Sequence, residues 1–229
     1  WWDKPEHNLK RIEFKPVKSD ATRVAALLSG ELDMIAPAPL QDLARIGAAS
    51  GFKVIEEPSL RLIFLGLNHR PELKATPGQK NPMLDVKVRQ AMWHAIDLDT
   101  IQKRVMRGKS RNTGTLVAPP VPGFSAENDK LVAYDPDLAK KLLTEAGYPN
   151  GFKTNFNCSN DRYINDEQIC QAVAAMWTAV GVKTNLNAMP LQTFFPKLGK
   201  DDTSIYLLGW GVPTLDALYS LQSLVMTRT

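Results

Sequence analysis

The chain has 229 residues, of which 44% are hydrophobic and 23% are charged, and its formal net charge is +4 at neutral pH. This length and composition support a buried core, which excludes an intrinsically disordered protein, and no apolar run approaches the ~20 residues of a membrane-spanning helix. The lysines and arginines are scattered and form no basic stripe or arm, which argues against a nucleic-acid-binding protein.

The first 55 residues predict the order helix, strand, helix, strand. Val24, Leu27 and Leu28 share one face of a helix over residues 20–29, and Gly30 suits the left-handed position that follows a helix. Three further elements follow in order: a brief strand over residues 32–35, a helix over 41–50 and a strand over 52–55.

The run LRLIFLGLN over residues 60–68 is nearly all apolar, which is typical of a strand covered on both faces. Residues 69–82 are polar and contain proline and glycine, so we predict that the chain crosses between domains there. Asp85 and Asp97 are suitable N-caps for two consecutive amphipathic helices, which together predict a helical hairpin.

Residues 112–134 are rich in turn-forming residues and predict a surface loop. Asp135-Pro136 then begins a helix with a favoured cap and a first-turn proline. The pattern changes to strand over residues 152–158, to helix up to Gly181 and to strand again over 182–188, which is a parallel βαβ unit. A short helix over residues 194–198 and a buried strand over 205–210 follow, so the predicted fold class is α/β.

Cysteines and histidines give no support for a metal site or a cofactor. Cys158 and Cys170 form no CxxC motif, and His7, His69 and His94 occur in unrelated contexts, so zinc is not predicted. A disulfide between the two cysteines stays open at this point, because one ends a strand pattern and the other lies inside a helix pattern.

Motifs of catalysis are also missing, since the chain has no P-loop, GxGxxG, HExxH or GxSxG motif. Enzymes can assemble a site from distant residues, so one alternative remains. It is a two-domain α/β enzyme, such as a hydrolase, that uses Asp161, Asp166 or Asp216 as an acid or base.

Two segments that follow predicted strands are the candidate ligand sites. In LLGWGVPTLD the strand ends at Gly209, Trp210 and Gly211, and ligands of open α/β sheets bind beyond such strand ends. The alternative for Trp210 is a core aromatic residue. The cap Asp216 follows closely and is a further candidate.

The second candidate segment is the polar loop SNDRYINDE over residues 159–167. Arg162 can pair with a carboxylate through two parallel hydrogen bonds, and Tyr163 stands beside it. The alternative for Arg162 is an ordinary solvent-exposed cation.

Four stretches in this order resemble the bacterial extracellular solute-binding proteins of family 5, the dipeptide-, oligopeptide- and nickel-binding components of ABC importers. The stretches are LLSGELDMI, DVKVRQAMWHAIDLDTI, YDPDLAKKLLTEAGYPNGF and LGWG, and the resemblance covers nearly the whole chain. It implies a fragment of the periplasmic binding protein type II fold. Residues 1–68 would be the return segment of the discontinuous first lobe, and residues 69–229 a truncated second, C-terminal lobe.

The first residues lack the basic and apolar regions of a secretory signal, and the last residues, SLVMTRT, continue an apolar helical pattern without a cap, so we interpret both ends as cuts. The resemblance implies a precursor with a signal peptide and a periplasmic, monomeric, non-enzymatic product. Its partners would be a permease in the inner membrane and a small solute held in an interlobe cleft, such as a peptide, opine, nickel complex or sugar.

The same resemblance implies the roles of the candidate residues. Arg162 would receive a ligand carboxylate, while Gly209, Trp210 and Gly211 would line the wall of the cleft. Dipeptide-binding members carry an acidic residue three positions after the tryptophan, where this chain has Pro213. Asp216 is the nearest acid, and its predicted helix-capping role competes with recognition of an amino group.

Overall fold

The computed structural model describes residues 4, 6, 8–74 and 76–226, so His7 and the last three residues of the chain lie outside the described part. The chain divides into two units, Trp1–Ile55 and Glu56–Thr229. The predicted assignment of residues 1–68 and 69–229 to two lobes of a longer protein concerns a different boundary, and it stays a prediction.

The first unit contains the two predicted helices, α1 (Asp20–Leu28) and α2 (Leu43–Ala48). Val24, Leu27 and Ile46 form its small core. The predicted strands over residues 32–35 and 52–55 are wrong, because neither segment pairs with a strand in the described part of the chain. Their apolar side chains pack against the core from irregular backbone instead, namely Ile35, Phe52 and Val54.

The second unit is built on a four-stranded sheet of β1 (Leu62–Leu67), β2 (Phe152–Ser159), β3 (Val182–Met189) and β4 (Ile205–Trp210), in the order β1-β4-β2-β3. Strand β2 is parallel to β3 and β4, which confirms the βαβ unit and the α/β class, and β1 is antiparallel to β4. The prediction that β1 is covered on both faces is wrong. Ile63 is 40% exposed, and most of the other residues of the strand are only half-buried.

Among the described residues of the second unit, six helices follow a short 3-10 turn at Pro82–Leu84. They are α3 (Val86–His94), α4 (Leu98–Thr100, continued by a π-helical turn over Ile101–Val105), α5 (Pro136–Glu145), α6 (Asp166–Ala179), α7 (Leu191–Gly199) and α8 (Ala217–Leu224). The capping carboxylates predicted at Asp85, Asp97 and Asp135 each accept a backbone N–H, which confirms the starts of α3, α4 and α5. The predicted helical hairpin is not confirmed, because α3 packs mainly on α5. Residues 112–134 contain no helix or strand, as predicted.

The main core of this unit lies between the sheet and helices α3, α5 and α6. Trp177 of α6 is 1% exposed, its ring lies 5.2 Å from that of Phe156 on β2, and its Nε1 donates to the Met92 carbonyl of α3 at 2.8 Å. Cys158 and Cys170 are neighbouring free thiols in the same core, and the structure has no disulfide between them. Burial raises the pKa of the Cys170 thiol above its usual range.

No helix in the described ranges is both long and apolar enough to cross a membrane. Across those same residues, histidine, cysteine and acidic side chains form no cluster of three or more that would hold a metal ion.

Candidate functional site

The candidate residues lie at one edge of the sheet, where its parallel strands end. Because β2, β3 and β4 run in the same direction, their carboxyl ends at Ser159, Met189 and Trp210 reach this edge together. Strand β1 is antiparallel, and its first residue Leu62 pairs with Trp210, so Arg61 is brought to the same place. We call this region, formed by Arg61 and residues 159–165 and 209–211, the carboxyl edge.

The loop between β2 and α6 is held by the carboxylate of Asp166, which is 3% exposed. Its Oδ2 accepts the Ser159 hydroxyl at 2.7 Å and the backbone N–H groups of Arg162 and Tyr163 at 3.1 and 3.0 Å. Its Oδ1 accepts the N–H of Glu167 at 3.0 Å. A buried carboxylate with several donors is a strong anchor, so it fixes the backbone that presents Arg162.

The side chain of Tyr163 connects this loop to the end of β4. Its hydroxyl donates to the Gly209 carbonyl at 3.3 Å. A Cβ atom at position 209 would lie 2.5 Å from Cε1 of Tyr163 and 2.9 Å from Cδ1 of Ile63, so only glycine permits this approach without displacement. The structure therefore brings the two candidate segments together.

The remaining residues of the LGWG segment are less enclosed. Trp210 is half-buried, its ring stacks on that of Tyr219 at 5.5 Å, and its buried Nε1 has no hydrogen-bond partner among the described residues. An added Cβ at Gly211 would meet no atom within 4 Å, so backbone is open there. This arrangement leaves an indole and a bare backbone segment beside the loop, and their role toward a ligand stays a prediction.

Two guanidinium groups lie over the Tyr163 ring. The Cζ atoms of Arg61 and Arg162 are 5.6 and 5.4 Å from its centre, which is within the range of a cation–π interaction. Both arginines are exposed, as the alternative for Arg162 anticipated. In the described part of the chain, neither guanidinium forms an ion pair with a carboxylate.

The three carboxylates of the alternative enzyme are engaged by backbone groups. Asp161 Oδ1 accepts the N–H of Leu191 at the start of α7 at 2.7 Å, and Asp166 holds the loop as described. Asp216 Oδ1 accepts the N–H of Leu218 at 2.7 Å, which confirms its predicted helix-capping role. Each of them therefore has a structural role in positioning a loop or a helix.

Arg61 was missed by the sequence reasoning. It precedes β1 and belongs to no motif, and only the antiparallel register of β1 on β4 places it at the carboxyl edge. Two cavities of the second unit lie elsewhere. One is beside the first halves of β2 and β3, near Lys153 and Lys183, and the other is at the opposite end of the sheet, near Leu67 and Tyr206.

The fold is that of the periplasmic binding proteins. The solved dipeptide-binding protein from Pseudoalteromonas sp. SM9913 in complex with Met-Leu superposes with a TM-score of 0.75 at 28% identity, over 86% of this chain and 38% of that one. The family described as bacterial extracellular solute-binding proteins, family 5 Middle, matches residues 1–228. The chain belongs to this family, which confirms the resemblance drawn from its motifs.

Curated relatives agree with this membership. The chain is 29% identical to Heme-binding protein A of Haemophilus influenzae over 208 residues, which are 88% of this chain and 36% of the relative. It is 27% identical to Glutathione-binding protein GsiB of Escherichia coli over 233 residues, covering 100% of this chain and 43% of the relative. The chain thus spans less than half the length of the curated relatives it matches.

Proposed function

We propose that the protein is the periplasmic substrate-binding component of an ABC importer. It captures short peptides or similar small solutes in a cleft between two lobes and delivers them to a permease in the inner membrane, acting as a monomer and without catalysis. Relatives named for heme and glutathione binding, and a structural neighbour solved with Met-Leu, support a small solute as the cargo.

The contact between Tyr163 and Gly209 carries this proposal. It joins a loop that presents a guanidinium to a strand end that presents open backbone and an indole, at the carboxyl edge where α/β sheets bind ligands. In the proposal, Arg162 receives a carboxylate, and Gly209, Trp210 and Gly211 line the wall of the cleft. Asp216 is the nearest acid for the amino end of a peptide, and its helix-capping hydrogen bond through Oδ1 competes with that contact.

Capture follows from differential affinity. A solute that contacts both lobes only when they are closed binds the closed form more tightly and shifts the population toward it. The closed form then docks on the permease, and a separate ATPase supplies the work, so none of the chain's carboxylates needs to act as an acid or base.

The test is to purify the protein under native conditions, denature it and identify released small molecules by mass spectrometry. We expect an intact solute to be released in near-stoichiometric amount. Gly209→Ala should reduce the amount at least tenfold, because the new methyl group displaces Tyr163 and its loop. Gly199→Ala, at the end of α7 with no atom within 4 Å of the added Cβ, is the matched control and should retain the solute.

Turnover of a substrate panel by the native protein, with no solute released on denaturation, would overturn the proposal. Equal solute release from the Gly209→Ala and Gly199→Ala variants would be compatible with capture, but it would contradict the carboxyl edge as the binding site.

A further inference from the structure

We infer that the captured solute carries two anionic groups, which Arg61 and Arg162 bind together above the ring of Tyr163. This inference rests on the proposed function and adds the chemical class of its cargo. It extends the single carboxylate contact expected of Arg162 to a paired site that includes Arg61, a residue outside every motif that the sequence offered.

The first observation is the shared aromatic ring. Both guanidinium carbons lie within 5.6 Å of the centre of the Tyr163 ring, so they are no farther apart than the sum of their two distances from it. That span corresponds to at most about three residues of extended chain. One small molecule, such as an acidic dipeptide or tripeptide or a dicarboxylate, can therefore reach both cations at once.

The second observation is that both cations belong to the half of the ten described arginines that form no ion pair with a carboxylate. Five arginines of the described ranges form ion pairs with carboxylates, namely Arg11, Arg23, Arg45, Arg70 and Arg111. Arg61 and Arg162 lie over the ring instead, and neither has an acidic partner among the residues that the structure describes. A guanidinium that stacks on an aromatic ring contacts the ring through the face of its own plane. Its N–H groups point outward within that plane and can bind an anion through two hydrogen bonds.

The third observation is that the backbone of both arginines is fixed. The N–H of Arg162 is held by Asp166, as described, and the N–H of Arg61 donates to Oγ of Ser59 at 3.1 Å, next to the pairing of Leu62 with Trp210. Two like charges on fixed backbone repel each other, and the repulsion grows when a closing cleft excludes water. A solute with two negative groups removes that repulsion, whereas a neutral or singly charged solute leaves part of it.

The test compares Ala-Glu with Ala-Gln, two dipeptides that differ by one carboxylate and have nearly the same size. Binding to the purified, ligand-stripped protein is measured by calorimetry and by the Nε–H NMR signals of Arg61 and Arg162 at constant ionic strength. We expect Ala-Glu to bind at least tenfold more tightly and to shift both arginine signals along one saturation curve. Arg61→Gln and Arg162→Gln should each abolish most of this preference.

Arg70→Gln is the control, because Arg70 is exposed, pairs with Asp201 and lies at the opposite end of the sheet, and it should leave the preference unchanged. Equal affinities for the two dipeptides, or a preference that survives Arg61→Gln, would overturn the inference while capture itself stands. If neither dipeptide binds, the released solute decides: fewer than two anionic groups overturns the inference, and no solute at all counts against the proposed function.

Discussion

Asp166 shows how one buried carboxylate determines the shape of the candidate site. Its four hydrogen bonds connect the end of β2, the loop and the first turn of α6. The sequence suggested this aspartate as a possible acid or base, since it stands in a polar loop after a strand. In the structure, Asp166 has a structural role instead, because its oxygens accept hydrogen bonds from donors of the protein itself.

We predict that Asp166→Asn lowers the free energy of unfolding by roughly 2 kcal/mol. The amide places an N–H₂ group where an oxygen accepted backbone N–H groups, so charge-assisted bonds are lost and buried donors are left without an acceptor. Urea unfolding followed by circular dichroism measures the change. Solute affinity should fall as well, because the backbone of Arg162 and Tyr163 is released.

Asp137→Asn is the matched control for that substitution. Asp137 also lies in the first turn of a helix, but its side chain is 92% exposed and pairs with exposed Lys140. Its loss should change the unfolding free energy by less than about 0.5 kcal/mol. A similar loss of stability in both variants would show that the network around Asp166 is not special.

At the scale of elements, capping carboxylates explain why helix starts could be predicted. Asp97 is the clearest case for a pH test: its two oxygens accept the N–H of Thr100 at 2.9 Å and the hydroxyl of Thr100 at 2.6 Å. These hydrogen bonds, that from the hydroxyl first, hold the pKa of Asp97 below its ordinary value. The charged form is therefore favoured by folding, and it stabilises α4.

We predict that Asp97→Ala costs ~1 kcal/mol of unfolding free energy at pH 7, as is typical for the loss of an N-cap. A carboxyl group whose pKa is lowered by folding stabilises the protein fully above its unfolded pKa of about 3.9, and this contribution is lost as the pH falls through the lower folded value. Urea unfolding of wild type and variant should thus show a constant gap from pH 7 to about 5 and a shrinking gap below pH ~4.

Asp99→Ala serves as the neighbour control for the cap. Its side chain is 68% exposed in the same helical turn, where it pairs with exposed Lys103 and accepts an exposed hydrogen bond from Asn112 at 3.1 Å. We expect a smaller change in stability than for Asp97→Ala, because both contacts are open to solvent. A gap between wild type and Asp97→Ala that stays constant down to pH 2 would contradict the role assigned to the charged cap.

The elements that could be predicted are those whose information is local. Helix α5 follows from Asp135-Pro136, and the β2–α6–β3 unit follows from alternation and helical spacing. The strands expected over residues 32–35 and 52–55 failed because a strand requires a hydrogen-bonding neighbour, which a short apolar run does not specify. The position of Arg61 at the carboxyl edge could not be predicted for the same reason. It depends on the pairing of β1 with β4, which are far apart in sequence.

At the scale of the second unit, Trp177 connects three elements, namely α6, β2 and α3. It is 1% exposed on α6, packs against Phe156 of β2 and donates its indole N–H to the Met92 carbonyl at the end of α3. Helix α6 also begins with Asp166, which holds the loop of Arg162. The position of that loop therefore depends on how firmly α6 is packed on the sheet.

We predict that Trp177→Phe lowers the free energy of unfolding by ~2 kcal/mol, because it opens a cavity in a close-packed core and leaves the Met92 carbonyl without its donor. Trp93→Phe is the matched control: Trp93 lies on α3 with its side chain 46% exposed, and its replacement should cost less than about 0.5 kcal/mol. Urea unfolding of both variants provides the comparison. Equal stability of the two variants would mean that α6 is held to the sheet by other contacts, and that the loop of Arg162 does not depend on this tryptophan.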